Sequence, residues 1–169
     1  MALGMYAASV PVYQRQLGAV SKVLDKASAW AAAKKVDEAV LGAMRLTPDM
    51  FPLTRQVQLA CSFAEDSTAR LAGVELLKPR ENAEKTLDEL RARIATALAY
   101  IKGFKPEQVD GSEAREIVLN IAGNPLKLTG EQYLSHFVLP NFYFHSTTAY
   151  AILRQSGVDI GKRDFIGGM

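Results

Sequence analysis

Thr129-Gly130-Glu131-Gln132-Tyr133-Leu134-Ser135-His136-Phe137-Val138-Leu139-Pro140-Asn141-Phe142-Tyr143-Phe144-His145 begins the stretch that decides the fold, and Ser146-Thr147-Thr148-Ala149-Tyr150-Ala151-Ile152-Leu153-Arg154-Gln155 completes it. Thr129 and Gln132 stand at the spacing of a capping box, in which a Thr side chain and a Gln three residues on satisfy each other's free backbone N–H groups. Gly157 supplies the stop. Between them Leu134, Val138, Asn141, His145, Thr148 and Ile152 recur at intervals of 4, 3, 4, 3 and 4, one line on a helix. One long helix from Thr129 to about Gln155 follows. Pro140 lies in its interior, lacks the N–H that would bond the His136 carbonyl, and predicts a kink.

Three more helical runs precede it. Tyr13, Leu17, Val20, Leu24 and Ala27 form one face of a helix from about Ser9, a good N-cap, to Ala33. Met5 and Tyr6 either extend that helix backwards or pack beneath it. Residues 34–51 form a connector in which Asp37 caps a short turn through Leu41. Pro52 suits the first helical position of a second run, carried by Leu53, Val57, Ala60, Ala64 and Leu71 and stopped at Gly73. A third run carries Leu87, Leu90, Ile94, Leu98 and Ile101, with Asn82 as its cap and Gly103 as its stop. The period then changes: Glu116–Ile121 and Leu126–Leu128 flank Gly123-Asn124 and read as a small β-hairpin. Pro125 is tolerable there only at a strand start or edge. The fold class is all-α: a four-helix bundle with a long first connection and a small hairpin between helices 3 and 4. Residues 1–169 read as one domain, with Met1–Gly4 a leader and 157–169 an irregular tail.

Composition agrees. The chain has 169 residues, 49% apolar, with 20 Lys+Arg against 18 Asp+Glu, a net charge of +2. That balance argues against a dedicated nucleic-acid binder. No apolar stretch approaches the ~20 residues of a membrane span, and no signal peptide opens the chain. A single cysteine, Cys61, forms no internal disulfide and suits the cytoplasm or indifference to redox state.

No phosphate loop, dinucleotide fingerprint, paired-Cys site or His-Glu-x-x-His sequence is present. His136 and His145 are the only histidines; nine residues apart on one helix they point nearly opposite ways and cannot share a metal. The chemistry therefore concentrates on Asn141 and His145, one turn apart on an otherwise apolar or small-residue face. Either they form a polar patch for a ligand at the bundle centre, or they bond each other and fix helix register. Phe142, Tyr143 and Phe144 suit a pocket wall, or core plus a dimer face. Gln58, with Cys61 a turn later, either lines the same interior or faces solvent, and Cys61 reads as a small core residue. Tyr13 and Tyr143 complete the candidate set.

Ser9-Val10-Pro11-Val12, Leu46-Thr47-Pro48-Asp49-Met50-Phe51-Pro52-Leu53 with Arg55-Gln56-Val57-Gln58, and Leu71-Ala72-Gly73-Val74-Glu75 stand as blocks. So do Leu139–His145, Thr147–Arg154 and Gly161-Lys162-Arg163-Asp164-Phe165. Together, over nearly the whole chain from Met5, they make it resemble a small family of unknown function within the DinB-like superfamily. The resemblance implies a four-helix bundle, a homodimer and, in many relatives, nickel or zinc on three histidines. Two of those stand four residues apart on the last helix, which places Asn141 and His145 at their positions. The third comes from the second helix, where Gln58 or Cys61 is the nearest match. Two of the three positions thus depart from the metal motif, and the expectation is a protein without metal or other cofactor. Its remnant pocket of His145, Asn141, Gln58, Tyr13 and Tyr143 then takes a small organic ligand or nothing. The alternatives are an enzyme using His145 as general acid/base oriented by Asn141, a metal-dependent transferase or hydrolase, and an interaction protein acting as a dimer. No nucleic-acid or membrane partner is expected.

Overall fold

The helical runs fold as expected in kind, with informative shifts at their ends. In a computed structural model, which describes residues 3–168, the elements are α1 (Val10–Lys34), α2 (Glu38–Ala43), α3 (Leu53–Ala72), α4 (Leu87–Lys102) and α5 (Pro106–Val109). They continue as β1 (Glu116–Ile121), β2 (Asn124–Thr129), α6 (Gly130–Gln132), a π-helical turn (Tyr133–Val138), α7 (Leu139–Gln155) and α8 (Lys162–Phe165). α3 packs on α7 and α4, and α1 closes the ring against the same two helices. Consecutive long helices α1 and α3 therefore stand diagonally, which is what the connector containing α2 permits. Tyr13, Leu17, Leu53, Leu71, Leu90, Ile94, Phe142 and Ile152 are among the side chains sealed between them.

Local chemistry explains the ends. Asp37 caps α2, its carboxylate accepting from the Ala39 N–H at 2.9 Å. Ser9 does not cap α1: its hydroxyl donates to the Met5 carbonyl at 2.6 Å, because helical turns already run back to Gly4. Pro52 is the residue before α3 instead of its first, and Gly73 closes that helix with φ 69°. α4 starts four residues later than Asn82 suggests. Thr86 and Glu89 form a reciprocal capping box, which satisfies more free N–H groups than Asn82 alone. Residues 74–86 are left extended across α3 and α4.

The hairpin turn is Ala122-Gly123, not Gly123-Asn124, both residues having positive φ (50° and 84°) as a two-residue I′ turn requires. Asn124 instead pairs with Ile121 across the strands. Ile117 and Leu119 point into the bundle core, so the hairpin caps its own bundle. The tail is a strap along α1: Arg15 donates to the carbonyls of Ile166 and Gly168, both at 3.1 Å, and Lys26 pairs with Asp164 at 2.7 Å. Of the leader, Met1 and Ala2 lie outside the described residues. Among the described residues no helix is long and apolar enough to cross a membrane.

The capping box forms as spaced, with the Gln132 N–H on Thr129 Oγ1 at 3.2 Å and the Thr129 N–H on Gln132 Oε1 at 3.1 Å. Pro140 is accommodated by widening the preceding turn: the Leu139 N–H reaches back five residues to Leu134. The wider turn moves the proline ring clear of the i−4 carbonyl. After the turn Phe142 and not Asn141 enters the core, while His145, Thr148 and Ile152 keep the inward places that the spacing predicts.

Gly130, where hairpin meets helix, touches the Ser112 backbone so closely that a Cβ would overlap the Ser112 carbonyl. Gly130→Ala should therefore lose about 1–3 kcal/mol in urea unfolding; an unchanged midpoint would contradict the close approach.

Candidate functional site

The α3–α7 contact positions His145. Gln56 follows Leu53 by three residues and precedes Ala60 by four, on the inward line of α3. Its amide N–H donates to the Phe51 carbonyl at 3.0 Å, which turns Oε1 toward His145 Nδ1 at 2.7 Å. An amide oxygen only accepts, so Nδ1 carries the ring proton and Nε2 keeps its lone pair. Nε2 has no hydrogen-bond partner among the described residues, yet it is not among the polar atoms sealed without one. Phe63 stacks on the imidazole at 5.6 Å and 21°, and Phe144, 54% exposed, meets it edge-on at 5.4 Å. Burial, then the nearby Arg55 charge, pushes the His145 pKa below its ordinary value, so the ring is neutral at pH 7.

The predicted set is distributed over three surroundings. Asn141 does not reach His145: its amide N–H donates to the Phe137 carbonyl at 2.7 Å. Tyr13 is fully buried, edge-on to Phe142 at 5.0 Å, and burial drives its phenol pKa far up. Tyr143 packs on the same Phe142 at 5.6 Å but is exposed, bordering a groove with Arg15 and Phe165. Gln58, 2% exposed, is no solvated residue; it donates to Glu84 Oε2 at 2.8 Å and faces Arg55. Cys61 is buried and its thiol is pushed up to about 12, so no thiolate forms at neutral pH.

Two features escape a reading of single positions. Gln56, in the same quoted block as Gln58, is the α3 residue that meets His145, and its place on the Leu53–Ala60 line was the available signal. Arg93 and Glu65 form a buried bidentate pair at 2.9 and 2.7 Å, with Arg80 also on Glu65 at 3.1 Å. Arg93 likewise sits three residues after Leu90 and four before Ala97, within the buried stripe of α4.

The metal implied by the DinB resemblance does not fit these side chains. His145 Nδ1 is held by Gln56, His136 is exposed on the π turn, the Asn141 amide is engaged, and Cys61 stays a thiol. Among the described residues no group of three or more His, Cys, Asp or Glu could hold an ion.

A histidine whose pKa falls on folding takes up its proton more readily in the unfolded chain. Stability should thus decline as pH drops below ~6.5 and level off once the folded ring also protonates. His145→Asn retains a donor toward Gln56 without a titrating group. Urea unfolding from about pH 7 to about pH 5 should show a shallower loss in this variant; equal slopes would place the imidazole proton elsewhere.

Comparison with known proteins agrees with this architecture. A family model described as a domain of unknown function, DUF1993, matches residues 5–166. The crystal structure of a DinB family member protein from Shewanella denitrificans is similar over 97% of this chain and 92% of that one, at 41% identity and a TM-score of 0.87. No curated protein matches. A model covering nearly the whole chain and a relative this similar give the family: the chain belongs to DUF1993, a DinB-like family of unknown function.

Proposed function

We propose that this protein, working without a metal, binds a small organic molecule at His145. The observation that carries the reading is the chain Phe51 carbonyl–Gln56–His145, which holds a neutral imidazole by Nδ1 and leaves the Nε2 lone pair unused. A lone-pair acceptor between Phe63 and Phe144, with Arg55 near, suits a flat ligand that offers an O–H or N–H donor. Asn141, Tyr13 and Tyr143 then act through packing around Phe142 and the π turn, and Gln58 through its bond to Glu84.

A second reading uses the same nitrogen as a general base, with Gln56 in the orienting role first given to Asn141. The lowered pKa supports it, because the base form persists at neutral pH. The homodimer is a third proposal, supported by exposed Val118, Ile121 and Leu126 on the hairpin and Tyr143 and Phe144 on α7. A cytoplasmic location fits the single buried thiol.

Elemental analysis of untagged protein should find no stoichiometric nickel, zinc or iron; a full complement of metal, lost in His145→Asn, would restore the metal-dependent alternative. In a thermal-shift and NMR screen, phenol- and indole-type compounds should stabilise wild type and not His145→Asn. Identical profiles would end the binding proposal. Conversion of a bound compound by wild type alone would select the general base. Light scattering showing a monomer at micromolar concentration would remove the dimer.

A further inference from the structure

The extended segment 74–86 borders a half-open groove of about 290 Å³ against α3 and α4, near the lower end of the ~300–1,000 Å³ typical of ligand pockets. One part of its wall is apolar, made by Leu59, Leu76 and Leu77. The rest is charged, with Arg55, Lys78, Arg80 and Arg93 against the carboxylates of Glu65 and Asp66.

Cations outnumber carboxylates along this wall, even with Glu84 of the same segment close enough to act on Arg93. Glu65 is already shared by Arg93 and Arg80, so one carboxylate answers two guanidiniums. Asp66 is partly buried; desolvation raises its pKa and the Arg70 charge opposes that shift. Arg93 is 7% exposed with its terminal nitrogens tied to Glu65 and Ser62, while its Nε–H, sealed from solvent, has no partner among the described residues. A buried donor left unmade costs about 1–3 kcal/mol, more when the group is charged.

We propose that this groove binds a small organic anion, a carboxylate with an apolar part. Arg55, Lys78 and Arg80 take the carboxylate, and Leu59, Leu76 and Leu77 cover the apolar part. An inorganic anion would meet the same cations but leave the leucine wall uncovered. The two sites share Arg55, which stands near His145 and also lines this wall, but His145 itself lies against the Gln56–Phe63 face of α3 and does not border it.

The test is an NMR titration of the intact protein with hexanoate, and separately with inorganic phosphate, at low ionic strength. Hexanoate should give saturable shifts at Ser62 and along Leu76–Asn82, and bind at least about tenfold more tightly than phosphate. Lys78→Gln, on the exposed segment and outside the Glu65 pairing, should weaken hexanoate about tenfold, and His145→Asn should leave its affinity unchanged. Absence of saturable binding, or equal affinity in Lys78→Gln, would overturn the proposal. Phosphate binding as tight as hexanoate would overturn the apolar half of it. Loss of hexanoate binding in His145→Asn would show that the anion sits on the imidazole instead.

Discussion

Pro140 removes one N–H from the helix that lines both α1 and α3, and much of the structure's arrangement follows from how that loss is absorbed. A straight α-helix would press the proline ring against the carbonyl four residues back. The chain widens the turn at Tyr133–Val138 instead, and the Asn141 side chain supplies a donor to the Phe137 carbonyl. Phe142 then enters the core against Tyr13, and His145 faces α3. A residue that reads as half of a polar pair instead bonds a carbonyl of its own helix.

α3 is the second organising element, because polar groups are buried on both of its flanks. Gln56 meets His145 on one, and Glu65 meets Arg93 and Arg80 on the other, with Gln58 bonded to Glu84. Such groups are tolerable only when their hydrogen bonds are made. Both flanks largely make them, and on each a nitrogen is left over: His145 Nε2 toward the outside and Arg93 Nε within. The first is an acceptor and the second a donor, so the two flanks favour ligands of different chemistry.

On the proposed metal-free reading, the contacts around His145 stand where the DinB resemblance implies a three-histidine centre in many relatives. Gln56 satisfies the imidazole by a hydrogen bond and orients it much as a second-shell partner orients a metal ligand.

Helix existence, the Thr129–Gln132 capping box, the Gly73 stop, the hairpin and the bundle class were all legible in the sequence, because each rests on short-range periodicity or on a side chain meeting its own backbone. Thr86 as the true cap of α4 and Ala122 in the turn were legible in type but displaced in position, since neighbouring residues compete for the same role. What only the tertiary structure decided is which polar side chains meet. Gln56 and not Asn141 or Gln58 holds His145, and Arg93 meets Glu65 across 28 positions. Those pairings depend on how α3 is set against α7 and against α4, which is fixed by packing between distant segments and is not encoded in the spacing along any one helix.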